Sequence, residues 1–73
     1  MRFNPADMVV HAGDKVLWVN KDLFAHTATA ESAAFNSHSI APNASWSYVP
    51  GRAGRYPYVC ALHPTMHATL TVR

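Results

Sequence analysis

Residues 54–73 read Gly54-Arg55-Tyr56-Pro57-Tyr58-Val59-Cys60-Ala61-Leu62-His63-Pro64-Thr65-Met66-His67-Ala68-Thr69-Leu70-Thr71-Val72-Arg73. Two β-type runs, 54–60 and 67–73, flank a tight loop. In the first, Tyr56 and Tyr58 oppose Val59; in the second, Ala68, Leu70 and Val72 oppose Thr69 and Thr71. This is the period of two that lays one face of a strand on a core. Between the runs, within seven residues, the chain offers a thiol, an imidazole and a thioether on Cys60, His63 and Met66.

Outward from this stretch the same grammar repeats. Further strands are expected at 6–11, 15–20, 25–30, 37–41 and 44–49. Ala12-Gly13-Asp14, Lys21-Asp22, Pro42-Asn43 and Pro50-Gly51 separate several of them with turn chemistry. Val16, Trp18 and Asn20 point one way and Lys15, Leu17 and Val19 the other, while Trp46 and Tyr48 oppose Ser45, Ser47 and Val49. No apolar spacing of three and four persists over a helical length, so a helix is expected at most as one turn around Glu31–Phe35. About seven short strands imply an all-β, two-sheet Greek-key sandwich, with residues 1–73 forming a single domain.

A chain of 73 residues, 49% hydrophobic and 14% charged, is too apolar to be disordered. At this length it buries only about 60% of its unfolded surface, so a staple is expected. Cys60 is the only cysteine, which excludes an internal disulfide and leaves a metal, an oligomer or further chain. The net charge of +2 is unevenly placed. All four acids (Asp7, Asp14, Asp22, Glu31) fall in the first 31 residues, and Arg52, Arg55 and Arg73 leave the rest basic. There is no Lys/Arg run for nucleic acid, no apolar run long enough to cross a membrane, and no signal segment after Met1.

Thiolate and thioether are soft ligands and imidazole is borderline. A His₂Cys set with a distant Met is the ligand set of blue copper electron-transfer sites. The second histidine must come from elsewhere, and His26 fits because it follows the Lys21-Asp22 turn and begins a strand. Cys60 must bind as the thiolate, and each imidazole must bind neutral with its other nitrogen oriented. Pro64 restricts the loop, favouring redox change without ligand exchange. A Cys–His nucleophile would need a pocket and an oxyanion donor set that one loop on a small sandwich hardly offers, so an enzyme is not expected. Structural zinc prefers closed Cys/His sites, and a two-copper centre would want a second cysteine. His11, His38 and His67 are read as solvated or structural, and Trp18, Trp46, Tyr48, Tyr56 and Tyr58 as packing.

The loop C-x2-H-x2-M followed by a final strand resembles the cupredoxins, most of all the amicyanin and plastocyanin type. The likeness extends over almost the whole chain. It includes Phe3-x-Pro5, the Gly13-Asp14 turn leading to Trp18-Val19-Asn20, Asp22, the His26 that begins H-T-x-T, Phe35-x-Ser37, and residues 54–60. The resemblance implies one copper ion held by His26, Cys60, His63 and Met66. It also implies single-electron shuttling between Cu(I) and Cu(II) in the periplasm or outside the cell. Redox partners would dock on a small apolar patch around His63, formed by Ala61, Leu62, Pro64 and Thr65. The alternative is a module for copper storage, delivery or sensing. Two departures stand out. Thr27 replaces the usual Asn and Ala61 the usual hydroxyl residue, so the tie between the ligand loops is expected to be absent or different. The strand that usually precedes the Phe3-x-Pro5 region is lacking, so an exposed sheet edge is expected, with dimerisation or strand exchange through it.

Overall fold

A computed structural model describes residues 2–73, the side chain of Pro64 excepted, so the stiffening expected of that ring lies outside the described residues. Six strands follow in order: β1 (Asp7–Val10), β2 (Val16–Val19), β3 (Thr29–Ala30), β4 (Ser45–Tyr48), β5 (Gly54–Cys60) and β6 (His63–Val72). They form a four-stranded sheet, β1-β6-β5-β3, facing a two-stranded sheet, β2-β4. The first strand lies parallel to the last, Asp7 opposite Thr69 and Val10 opposite Val72, while β5 and β6 form the long antiparallel hairpin. No helix occurs among the described residues, and residues 31–34 form turns with Ala33 in the left-handed region.

The alternation in sequence becomes the layering. Met66, Ala68, Leu70 and Val72 of β6 are buried and His67 is exposed, while Val16 and Asn20 are buried and Leu17 and Val19 exposed. Between the sheets Leu70, Val72, Ala68, Tyr58, Ala30, Ala28, Val16 and Phe35 make one core. Trp18 sits across it, 5.3 Å from Trp46, 5.5 Å from Phe35 and edge-on to Tyr58 at 5.6 Å. Leu70 is fully buried, and truncating a residue so placed to Ala costs about 2–5 kcal/mol.

Two expected strands are reduced. Of 25–30 only Thr29–Ala30 is ladder, and 37–41 is represented by isolated bridges, His26 with Ile40 and Thr29 with Asn36. The interruption has a local cause. His38 takes a φ of 56°, which turns the chain out of extended geometry, and the Ser37 hydroxyl replaces a ladder partner by accepting the Ala28 N–H at 2.7 Å. Conversely β6 starts at His63 rather than His67, so the hairpin turn is only Ala61-Leu62.

Candidate metal centre

Two arms meet at one end of the sandwich. The first is the stretch after β2, where buried Asn20 stands in for missing backbone partners. Its side-chain amide donates to the Phe24 and Ile40 carbonyls, both at 2.8 Å, and its oxygen accepts the Asp22 N–H at 2.9 Å. This fixes the turn through 21–25, and the bridge to Ile40 then holds His26 by two backbone hydrogen bonds of 3.1 and 2.7 Å. His26 is 6% exposed. Its Nε2 lies 2.7 Å from Asp22 Oδ2, and because a carboxylate only accepts, Nε2 carries the proton. Nδ1 is thereby left as a lone-pair donor, the state a metal-binding imidazole requires.

The second arm is the β5–β6 hairpin. A register irregularity between Val59 and Cys60 re-aims the end of β5, so that Cys60 pairs with His63 across the two-residue turn. Cys60 is fully buried, and its Sγ lies 3.7 Å from Nδ1 of His26 and 3.7 Å from Nδ1 of His63. All three ligand atoms fall within 4.8 Å of one another. Two ligands that share an ion at bond lengths of about 2.0–2.3 Å stand apart by nearly the Sγ–Nδ1 spacing found here. Burial pushes the Cys60 thiol up. The Thr27 N–H, 3.3 Å from Sγ, leads the hydrogen bonds that outweigh it and bring the thiol down to about 6, so the thiolate is available at neutral pH. Met66, 3% exposed on the core-facing side of β6, borders the same cleft as His26 and Thr27.

The donor set therefore fits a soft or borderline ion such as copper, with His26, Cys60 and His63 converging and Met66 buried beside them. His11, His38 and His67 are exposed and lie outside the cluster, as the sequence suggests. The tie between the arms is different rather than absent: the Ala61 N–H donates to Thr27 Oγ1 at 2.8 Å. Sequence reasoning missed two features. One is the orienting part of Asp22, four residues before His26 across a turn. The other is Leu23 and Phe24, which stand 89% and 60% exposed beside the site, Phe24 with its ring 6.4 Å from that of His63.

A two-sheet β-sandwich with a Cys-His-His cluster at a hairpin turn, His26 and Cys60 buried and His63 half-exposed, defines the class, a small metal-site protein of cupredoxin architecture. The family described as the Cupredoxin-like domain matches residues 1–72, and the chain belongs to it. A plastocyanin of Scenedesmus fuscus is 32% identical over 84 residues, covering 97% of this chain and 86% of the relative. Among solved structures, a mutant of amicyanin in its Cu(I) form superposes with a TM-score of 0.92 at 26% identity, over 100% of this chain and 74% of the other. A purple cupredoxin from Nitrosopumilus maritimus gives 0.89 at 25% identity, over 96% and 80%.

Proposed function

We propose that this chain, taken as one domain over residues 1–73, is an electron carrier and not an enzyme. In this reading His26, Cys60, His63 and Met66 hold a single copper ion as a type 1 site. The observation that carries it is the convergence of a low-pKa buried thiolate and two imidazole Nδ1 atoms on one point. Bound copper would supply a one-electron couple between Cu(I) and Cu(II). The chain's own residues do the rest. Asp22 holds His26 in its ligating tautomer, Thr27 donates to the thiolate, and the burial of Cys60 and Met66 keeps water from the donor atoms.

His63 is the half-exposed member of the set; the Phe24 ring stands 6.4 Å from its own, exposed Ala61 and Leu62 form the turn before it, and exposed Leu23 and Thr65 lie close to these along the chain. The reading places redox partner proteins on this patch, because a small surface with little charge suits brief docking and rapid release. A second surface, the free edge of β2, is assigned to pairing between copies of the chain. A periplasmic or extracellular setting goes with the family resemblance, and among the described residues no helix is long and apolar enough to cross a membrane.

The test is a Cu(II) titration followed by visible and EPR spectra on the wild type and Cys60→Ser. The expected result is an intense charge-transfer band with narrow copper hyperfine splitting, lost in the variant. Colourless binding with fast loss to a chelator would overturn electron transfer in favour of storage or delivery.

A further inference from the structure

A line of side-chain hydrogen bonds runs from the ligand hairpin to the surface, and none of its members beyond Thr27 touches a ligand. The Ala61 N–H donates to Thr27 Oγ1 at 2.8 Å, the Thr27 and Thr29 hydroxyls are 3.0 Å apart, and Thr29 Oγ1 lies 3.3 Å from Asn36 Oδ1. Asn36 Oδ1 also accepts the His38 N–H at 2.8 Å, which settles that the amide oxygen, not the nitrogen, faces Thr29. Every proton direction then follows. Asn36 Oδ1 only accepts, so the Thr29 proton points to it. Thr29 Oγ1 is left to accept the Thr27 proton, and Thr27 Oγ1 is left with its lone pairs turned to the Ala61 N–H.

Backbone geometry explains why these residues align. Thr29 is opposite Val59 in the β3–β5 ladder and bridges to Asn36 on its other side. The relay thus crosses three neighbouring segments, from buried Thr27 through half-buried Thr29 to exposed Asn36. Thr27 itself grips the hairpin at two points, its N–H on Cys60 Sγ at 3.3 Å and its hydroxyl on the next amide. A hydroxyl with a fixed proton is a fixed acceptor, and chained hydrogen bonds reinforce one another.

We propose that Asn36 and Thr29 are remote positioning residues of the metal centre: through the Thr27 hydroxyl they hold the Ala61 amide, and so keep the Thr27 N–H aimed at the Cys60 thiolate. The proposal rests on the copper reading only for its second readout. An N–H bond draws charge from the thiolate. Weakening it enriches the sulfur and favours the more positive ion, Cu(II), over Cu(I).

Thr29→Val keeps the shape and removes the relay, Thr29→Ser restores it, and Asn36→Leu breaks it at its exposed end, together with the His38 N–H bond that Asn36 Oδ1 accepts. In the metal-free protein, amide exchange at Ala61 is expected to quicken several-fold in Thr29→Val and Asn36→Leu, and to return to the wild-type rate in Thr29→Ser. In the copper-loaded protein, the first two variants are expected to show a lower reduction potential, a several-fold shift of relative affinity toward Cu(II), again reversed by Thr29→Ser. Wild-type exchange at Ala61 together with a wild-type potential in both variants would overturn the proposal. If the wild type takes up no copper in a charge-transfer site, the copper reading fails while the exchange experiment still decides the relay.

Discussion

At the scale of single residues, the first imidazole depends on Asp22 more than on any feature of its own strand. With the carboxylate in place, His26 Nε2 keeps its proton and Nδ1 faces Cys60. Asp22→Ala removes that bias and lets the ring change tautomer or rotate, with the Asn20 clamp on the turn still intact. Loss of such an outer partner typically weakens metal binding by about 10–100-fold. Chelator competition on the variant is therefore expected to show copper affinity reduced by that factor, with Asp22→Asn recovering most of it because the amide oxygen still accepts. Equal affinities in all three proteins would remove Asp22 from the site. Cys60, His63 and Met66 are legible in sequence because one loop carries all three at fixed spacing. Asp22 is not, because its role depends on a turn that brings residue 22 back onto residue 26.

At the scale of elements, the strands whose two faces differ most in polarity are legible to within a residue or two. β2 alternates buried Val16 with exposed Leu17, and β4 alternates half-buried Trp46 and Tyr48 with exposed serines. The segments that lose their ladders, 25–28 and 37–41, lie where serine and threonine hydroxyls bond backbone groups and where a non-glycine residue enters the left-handed region. Such competition leaves no periodic mark in a sequence. Among the described residues β2 pairs on one side only, with β4, and so presents a free ladder edge. The Asn20 N–H to Ala44 carbonyl bond sets the phase of the β2–β4 ladder, so the backbone groups of Leu17 and Val19 point away from β4. Leu17 and Val19 line an open cleft of about 480 Å³, as do Phe3, Pro5 and Met8. An edge with exposed Leu17 and Val19 side chains is a template for pairing, restrained by Lys15 and Lys21 at its two ends. Sedimentation equilibrium is expected to show a mass that rises with protein concentration, and Val19→Lys to hold the chain monomeric. A monomer at every concentration in the wild type would sink the pairing assigned to this edge.

At the scale of the whole molecule, the site closes the fold as well as occupying it. Near the ligand atoms the arm after β2 is tied to the hairpin by the Thr27–Cys60 and Thr27–Ala61 hydrogen bonds and by the contacts of His26 with Cys60 and His63 and of Phe24 with His63. An ion held by both arms binds the folded chain and not the unfolded one. At a free concentration 1,000 times its dissociation constant it adds about 4 kcal/mol, which in a domain this small raises the melting temperature by about 15–30 °C. Without the ion the thiol alone gives the fold a pH dependence. Its ordinary value of 9.0 falls to about 6 in the folded chain, where it is faced by the His26 and His63 imidazoles and the Thr27 and Leu62 amides, with Asp22 behind His26. A depressed acid stabilises the fold in full above its unfolded value and loses that contribution as pH falls toward its folded one. The metal-free wild type is therefore expected to gain melting temperature relative to Cys60→Ser as pH rises from 6 to 9, and copper loading to add the larger increment at any pH in that range. Circular dichroism melts of the metal-free and copper-loaded proteins check both statements. Coincident melts with and without copper would show that the two arms are held by the core alone. Parallel pH profiles in the wild type and Cys60→Ser would show that the thiolate is no more stable in the folded chain than in the unfolded one.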